Sequence, residues 1–280
     1  MKGKLKISYK TKFLLFHPHH LFFILSLSFV IISGCSRGAS QRGLIVAGST
    51  SVQPFADRWA EIYMMKYPGR IVNVQGGGSS AGIQAAKSGA ADIGTSSREL
   101  KQEEKDLNEI VVAKDGLAVI VHPSNKITNL SLEEVRQIFG GNIRKWKDIG
   151  RKEKTITVVT REEGSGTRGA FQEMVMGKVR IFKGAIVEDS NGTVREIIAS
   201  DPYSIGYISL GLVDERVKAL KLDGVVASEE NILNNRYKLV RPFLFVTNGP
   251  PSSEAKHFID FVLSEEGQEL AKKEGLIPAK

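Results

Sequence analysis

From Gly43 onward, short apolar runs rich in β-forming residues alternate with longer segments whose apolar positions recur at helical spacing. The runs are "LIVAG", "IVNVQG", "ADIGTS", "LAVIVH", "TITVVTR", "SIGYIS" and "LVRPFLFVT", each of strand length and bounded by turn-forming residues. Strand-then-helix alternation predicts an α/β fold of mostly parallel strands covered by helices on both faces. There is no internal repeat and no low-complexity tract.

Helix boundaries are legible in several places. "SVQPFADRWAEIYMMKYP" puts Val52, Phe55, Ala56, Trp59, Ile62 and Tyr63 on one face, with Pro54 in the first turn and Pro68 past the end. "SLEEVRQIFGG" carries a capping box, Ser131 with Glu134, and a glycine stop at Gly140. "SSAGIQAAKSG" starts at serines and stops at Gly89, and "GSGTRGAFQEMVMG" starts at Gly164 or Ser165 and runs to Gly177.

The N-terminus follows a different pattern. Lys2, Lys4, Lys6, Lys10 and Lys12 precede the apolar run from Leu21 to Ile32, which is shorter than the roughly 20 residues a membrane-spanning helix needs. This is the layout of an export signal over residues 1–34. Its end, "ISGC" at 32–35, resembles a bacterial lipobox, in which the cysteine is lipidated and becomes the new N-terminus. Cys35 is the chain's only cysteine, so internal disulfides are excluded, and residues 35–42 form a short polar tether.

Once those five lysines are set aside, the formal net charge of +8 describes a mildly basic body. No basic run interleaved with aromatics is present, so nucleic-acid binding is not indicated. A composition 41% hydrophobic and 25% charged is that of an ordinary globular protein.

Hydroxyl-rich clusters fall where candidate strands end and helices begin: "GSTS" at 48–51, "GGGSS" at 76–80, "TSSRE" at 95–99 and "GSGT" at 164–167, the last three residues after Arg161. In a parallel α/β sheet these junctions share one edge, where ligands bind. Helix N-termini there expose unpaired N–H groups and a positive partial charge. One such cluster is merely a helix cap. Several together, with an arginine, describe a cage of donors suited to a small oxyanion.

Other chemistries fit poorly. No lysine follows "GGGSS" as a P-loop requires, and Glu163 occupies the position where a hydrolase elbow needs glycine. Outside the export segment only His122 and His257 remain, with no triad or metal spacing. No catalytic group, metal site or cofactor is expected. An exported phosphatase acting through Ser165 or Thr50, and a secreted adhesion or signalling module, remain as alternatives.

Taken together, "GSTSVQPFADRWAEIY", "GGGSSAGI", "ADIGTSSREL", "LSLEEVRQIFGGNIRKWKDI", "TREEGSGTRGAF" and "SNGTVREIIASDPYSIGYISL" resemble the PstS-type phosphate-binding proteins of ABC importers. The resemblance implies a type II, two-lobed periplasmic-binding-protein fold with the ligand in the cleft between lobes. It implies a first lobe of residues 43–118 plus 240–280, and a second of residues 119–239. It also implies a lipid-anchored, monomeric, non-enzymatic receptor on the outer face of the membrane or in the periplasm, which delivers inorganic phosphate to permease and ATPase subunits.

Carried over by position, the resemblance assigns ligand contacts to Thr50, Ser51, Ser79, Ser97, Arg161, Ser165, Gly166 and Thr167. Ser97 stands where well-known members have an aspartate that accepts the proton of monohydrogen phosphate. The departure implies weaker rejection of sulfate and leaves other tetrahedral oxyanions, including molybdate and tungstate, as alternatives. Glu163 is expected beside Arg161, and Arg98 is expected either to be exposed or bridge lobes, or to touch the ligand.

Overall fold

The computed structural model describes residues 42–150 and 153–279; the expected export signal and Cys35 lie outside them. Along the chain we label the main strands β1 (Leu44–Gly48), β2 (Val72–Gly76), β3 (Ile93–Ser96), β4 (Asn108–Val121), β5 (Thr157–Arg161), β6 (Ile186–Glu188), β7 (Ser204–Ser209) and β8 (Val240–Thr247). The main helices are α1 (Gln53–Lys66), α2 (Ser79–Ser88), α3 (Leu132–Gly140), α4 (Gly166–Phe171), α5 (Asn191–Ser200), α6 (Ser253–Val262) and α7 (Glu265–Lys273).

The strands join in the order β2-β1-β3-β8-β4-β7-β5-β6. Both ends are parallel: β1 pairs with β2 and β3, and β5 pairs with β6 and β7. The centre is antiparallel, which departs from the mostly parallel expectation. β8 runs against β3 and β4, and β4 runs against β7. The cause is β4, whose 14 residues pair with β8 up to Gly116 and with β7 from Leu117 on. A single strand thereby belongs to both halves of the sheet.

Each half has its own core. On one side Trp59, Phe245 and Phe258 pack together, with the indole N–H of Trp59 donating to the Gly267 carbonyl at 2.8 Å. On the other, the Phe171 and Tyr207 rings stack 3.9 Å apart beside Phe139. Rings of this size contribute roughly 1.5–3 kcal/mol each on burial. The Tyr207 hydroxyl meets Thr160 Oγ1 at 2.7 Å, and burial pushes its phenol up to about 12.

The helix signals correspond to real elements with small shifts. Ser131 and Glu134 form a reciprocal capping box, but the left-handed stop is Gly141 rather than Gly140. The segment expected to be helical to Gly177 is α-helical only to Phe171. It then takes a π turn over Gln172–Met176. Arg136 Nε donates to the Val175 carbonyl at 2.7 Å, satisfying one of the carbonyls that a helix end leaves unpaired. No helix among the described residues is long and apolar enough to cross a membrane.

Candidate functional site

The C-terminal ends of β1, β3 and β5 and the starts of α1, α2, α4 and α5 converge on one buried polar cluster. Ser51, Ser79, Ser97, Arg161, Ser165 and Thr167 are each no more than 2% exposed; Thr50 is half-buried. Six hydroxyl and guanidinium side chains would not be desolvated together by ordinary packing, since each needs a partner to offset the loss of water.

Their hydrogen bonds within the protein run mostly one way. Ser49 Oγ accepts from the N–H groups of Ser51 and Val52, at 3.2 and 3.3 Å, and donates to Ser97 Oγ at 2.8 Å. Ser79 Oγ accepts from the Ser97 N–H at 3.0 Å. Thr50 Oγ1 accepts from Arg161 Nη2 at 2.9 Å, and Ser165 Oγ from the Arg168 N–H at 3.2 Å. Ser51 Oγ accepts from Asn191 Nδ2 at 2.7 Å and lies 2.6 Å from Thr167 Oγ1. Ser49 gives its proton to Ser97, and one of Ser51 and Thr167 gives its proton to the other. Thr50, Ser79, Ser97 and Ser165 already accept from the protein, so their protons remain to be given. The cluster is a set of donors.

Arg161, at the end of β5, supplies the charge. Its Nε donates to Glu162 Oε2 at 3.0 Å and to the Glu188 carbonyl at 3.1 Å, and its Nη2 donates to the Asp189 carbonyl at 2.8 Å. Its Nη1 is buried and has no partner. An unmatched donor on a buried cation costs more than a neutral one, and an anionic acceptor is the group that would offset it.

The two halves of the sheet meet here. The Ser80 N–H donates to the Gly164 carbonyl at 3.1 Å, across the junction of α2 with the turn before α4. Gly78 holds φ of 90°, in the range that favours glycine, and so lets the chain enter α2 beside Gly164. Gly166 sits closer still: a Cβ there would lie 2.2 Å from Ser79 Oγ and 2.5 Å from Ser97 Oγ.

The PBP superfamily domain matches residues 35–266. The phosphate-binding protein PstS of Bacillus subtilis is 35% identical over 241 residues, 84% of this chain and 80% of that one. An X-ray structure of a putative phosphate ABC transporter substrate-binding protein from Clostridium perfringens, with bound phosphate, is 42% identical with TM-score 0.83, covering 85% of this chain and 100% of that one. An ABC-type phosphate transport receptor from Vibrio cholerae is 37% identical with TM-score 0.71, covering 84% and 99% of the two chains. The chain belongs to the PstS-type family.

One position in this PstS-type chain differs from expectation. The acid beside Arg161 is Glu162, which straddles the guanidinium with both oxygens, at 3.0 and 3.1 Å. The chain turns immediately after β5, with the Ser165 N–H closing on the Glu162 carbonyl at 3.1 Å. Glu163 therefore sits on the outside of the turn, 93% exposed, with only Arg168 nearby at 3.8 Å. Arg98 does not join the cluster. It forks onto both oxygens of Glu104 at 2.7 and 2.9 Å, and its side-chain carbons lie against Gly169.

Sequence reasoning missed four residues of this PstS-type site. Ser49 lies within "GSTS", where its neighbours Thr50 and Ser51 drew the assignment. Asn191, 1% exposed, follows the Ser190 cap at the start of α5, another strand-to-helix junction that the same rule identifies. Asp115 and Arg241 form an ion pair behind the cluster at 2.8 Å, both almost wholly buried. Burial pushes the Asp115 carboxyl up, against the pull of Arg241 and Ser209.

Proposed function

We propose that the protein is a lipid-anchored, extracytoplasmic receptor that binds inorganic phosphate between two lobes and delivers it to the permease and ATPase of an ABC importer. The observation that carries this reading is Arg161, buried with Nη1 unpartnered and surrounded by hydroxyl donors from both halves of the sheet. A tetrahedral oxyanion offers many acceptor lone pairs and no obligatory donor, which is the complement of that surface. The bound phosphate of the Clostridium perfringens relative supports phosphate as the occupant.

The contacts assigned are Thr50, Ser51, Ser79, Ser97, Arg161, Ser165, Gly166 and Thr167. Arg161 supplies charge, held in orientation by Glu162. Thr50, Ser79, Ser97 and Ser165 supply O–H donors, the Ser51–Thr167 pair supplies the one proton not used between them, and Gly166 supplies a backbone N–H of the first turn of α4. The lobes are residues 43–118 plus 240–280, and 119–239, hinged where β4 and β8 cross. The anion, held by groups from both lobes, stabilises the closed arrangement, and the importer recognises that shape. Binding needs no bond to be made or broken, so the receptor performs no catalysis. Cys35 carries the lipid and residues 36–42 the tether.

Ser97 bears on selectivity. Its hydroxyl accepts from Ser49 and is not an ionised acceptor, so the proton of monohydrogen phosphate meets no dedicated carboxylate here. Sulfate is the second reading that this observation favours. Titration calorimetry of the purified protein, stripped of anion, with phosphate and then sulfate at about pH 5 and about pH 8 compares phosphate with its second proton on and largely off. Tight phosphate binding is the expected result. Sulfate binding of equal strength makes the protein a broader oxyanion receptor, and heat from neither anion sinks the reading.

A further inference from the structure

Behind the anion cluster, a continuous buried chain of polar groups runs through the crossing strands. Arg241 Nη1 donates to the Ser97 carbonyl at 3.3 Å, while its Nε and Nη2 clamp Asp115 Oδ2 at 2.9 and 2.8 Å. Ser209 Oγ donates to the other Asp115 oxygen at 2.7 Å. The Ser209 N–H in turn donates to Asn191 Oδ1 at 3.3 Å, which fixes the amide so that Asn191 Nδ2 faces Ser51 Oγ at 2.7 Å. Ser51 meets Thr167.

The location is specific. Asp115 pairs with Arg241 across β4 and β8, one residue before Gly116, after which β4 changes partner to β7 and Leu117 faces Ser209. A buried ion pair generally stabilises a fold no better than apolar residues of the same shape. This one connects Ser97 and Ser51 on one side with Asn191, Ser209 and Thr167 on the other. We propose that Asn191 and Ser209, tied to the Asp115–Arg241 pair, are positioning residues for the bound anion: they hold Ser51 and Ser97 in register with Thr167 across the junction of the halves. The inference rests on the phosphate reading above.

Positioning and bulk charge predict opposite signs. Asp115→Asn leaves Arg241 unneutralised near Arg161, which by charge alone tightens an anion. If the chain positions donors, the same change weakens binding.

The test measures phosphate affinity and stopped-flow rates for wild type, Asn191→Ala, Ser209→Ala, their double variant and Asp115→Asn, with thermal midpoints of the anion-free proteins. We expect each alanine variant to lose about 10-fold in affinity, the cost of an unmatched buried partner. The loss is expected in the dissociation rate, with association nearly unchanged. The double variant is expected to be about as weak as the weaker single rather than the product of the two, because both break one chain. Asn191→Ala and Ser209→Ala decide the question by themselves if Asp115→Asn fails to fold. Affinities within about twofold of wild type, losses that multiply, losses that merely follow lowered midpoints, or tighter binding by Asp115→Asn each overturn the inference. A wild-type protein that binds no phosphate overturns the function reading together with this one, whereas wild-type binding with indifferent variants overturns this one alone.

Discussion

Replacing Gly166 by alanine adds one carbon at the tightest point of the site. The new Cβ would fall 2.2 Å from Ser79 Oγ, 2.5 Å from Ser97 Oγ and 3.0 Å from Ser79 Cβ. A carbon and an oxygen in ordinary contact sit more than 3 Å apart, so the deficit is about 1 Å. Neither hydroxyl can easily swing away, since Ser79 Oγ is held by the Ser97 N–H at 3.0 Å and Ser97 Oγ by Ser49 at 2.8 Å. The remaining response is for the start of α4 to move off α2 and β3, which separates Thr167 from Ser51. Overpacking of this size costs about 2 kcal/mol, or about 30-fold in Kd. Because Ser79 and Ser97 belong to one half and Gly166 to the other, the anion-free protein is expected to relieve the clash by opening. Its thermal midpoint is therefore expected to fall little. Calorimetric titration alongside thermal unfolding separates the two effects. Affinity within about threefold of wild type, or a midpoint that falls as steeply as affinity does, would refute the argument that the halves must close this tightly around the anion.

Two further outcomes follow from the same geometry. Ser97→Asp introduces a carboxylate against the site, giving monohydrogen phosphate an acceptor for its proton and giving sulfate only repulsion; competition titration is expected to show sulfate binding reduced about 100-fold or more relative to phosphate. Hydrogen bonds from Arg98 hold the Glu104 carboxyl below its ordinary value of 4.5, so the pair contributes stability above that value and loses it as pH falls through the lower, folded-state value. Glu104→Gln is thus expected to lower the melting midpoint at pH 7 by about 3 °C, for a contribution of about 1 kcal/mol, with the gap closing as pH falls below 4.5; a gap unchanged with pH would remove the ion pair from the account.

How much of this was legible in the sequence depended on whether a signal was local. The seven apolar runs and the capped helices follow from period and turn chemistry, which a few neighbouring residues determine. The first half of β4 was missed because Lys114, Asp115 and Gly116 interrupt the apolar pattern. Asp115 is tolerated in a buried strand only because Arg241, far away in the chain, pairs with it across the ladder. The antiparallel centre was missed for the same reason, since local pattern carries no information about which half of the sheet a strand joins. Within the site, the hydroxyl clusters were visible because helix starts demand particular residues. The choice between Glu162 and Glu163 was not visible, because it depends on which way a three-residue turn faces.

The hydrogen-bond directions also explain why the two halves are held together so sparingly. The contacts that cross between them at the site are the Ser51–Thr167 pair, Asn191 to Ser51, Arg161 to Thr50 and the Ser80 N–H to Gly164, polar bonds that water can replace in an open arrangement. Each such exchange is worth only about 1 kcal/mol net. The apolar cores, by contrast, are drawn mainly from one half each, with Leu117, Val240 and Ile277 joining the second core and Leu212 packing against the first where the strands cross. A ligand shifts an equilibrium only by its differential affinity for the two arrangements. An anion that recruits the unpartnered Nη1 of Arg161 together with hydroxyls from both sides makes most of its contacts in the closed arrangement. A receptor built this way gains its shape change from the anion itself, and weakening any one crossing donor should loosen closure and binding in proportion.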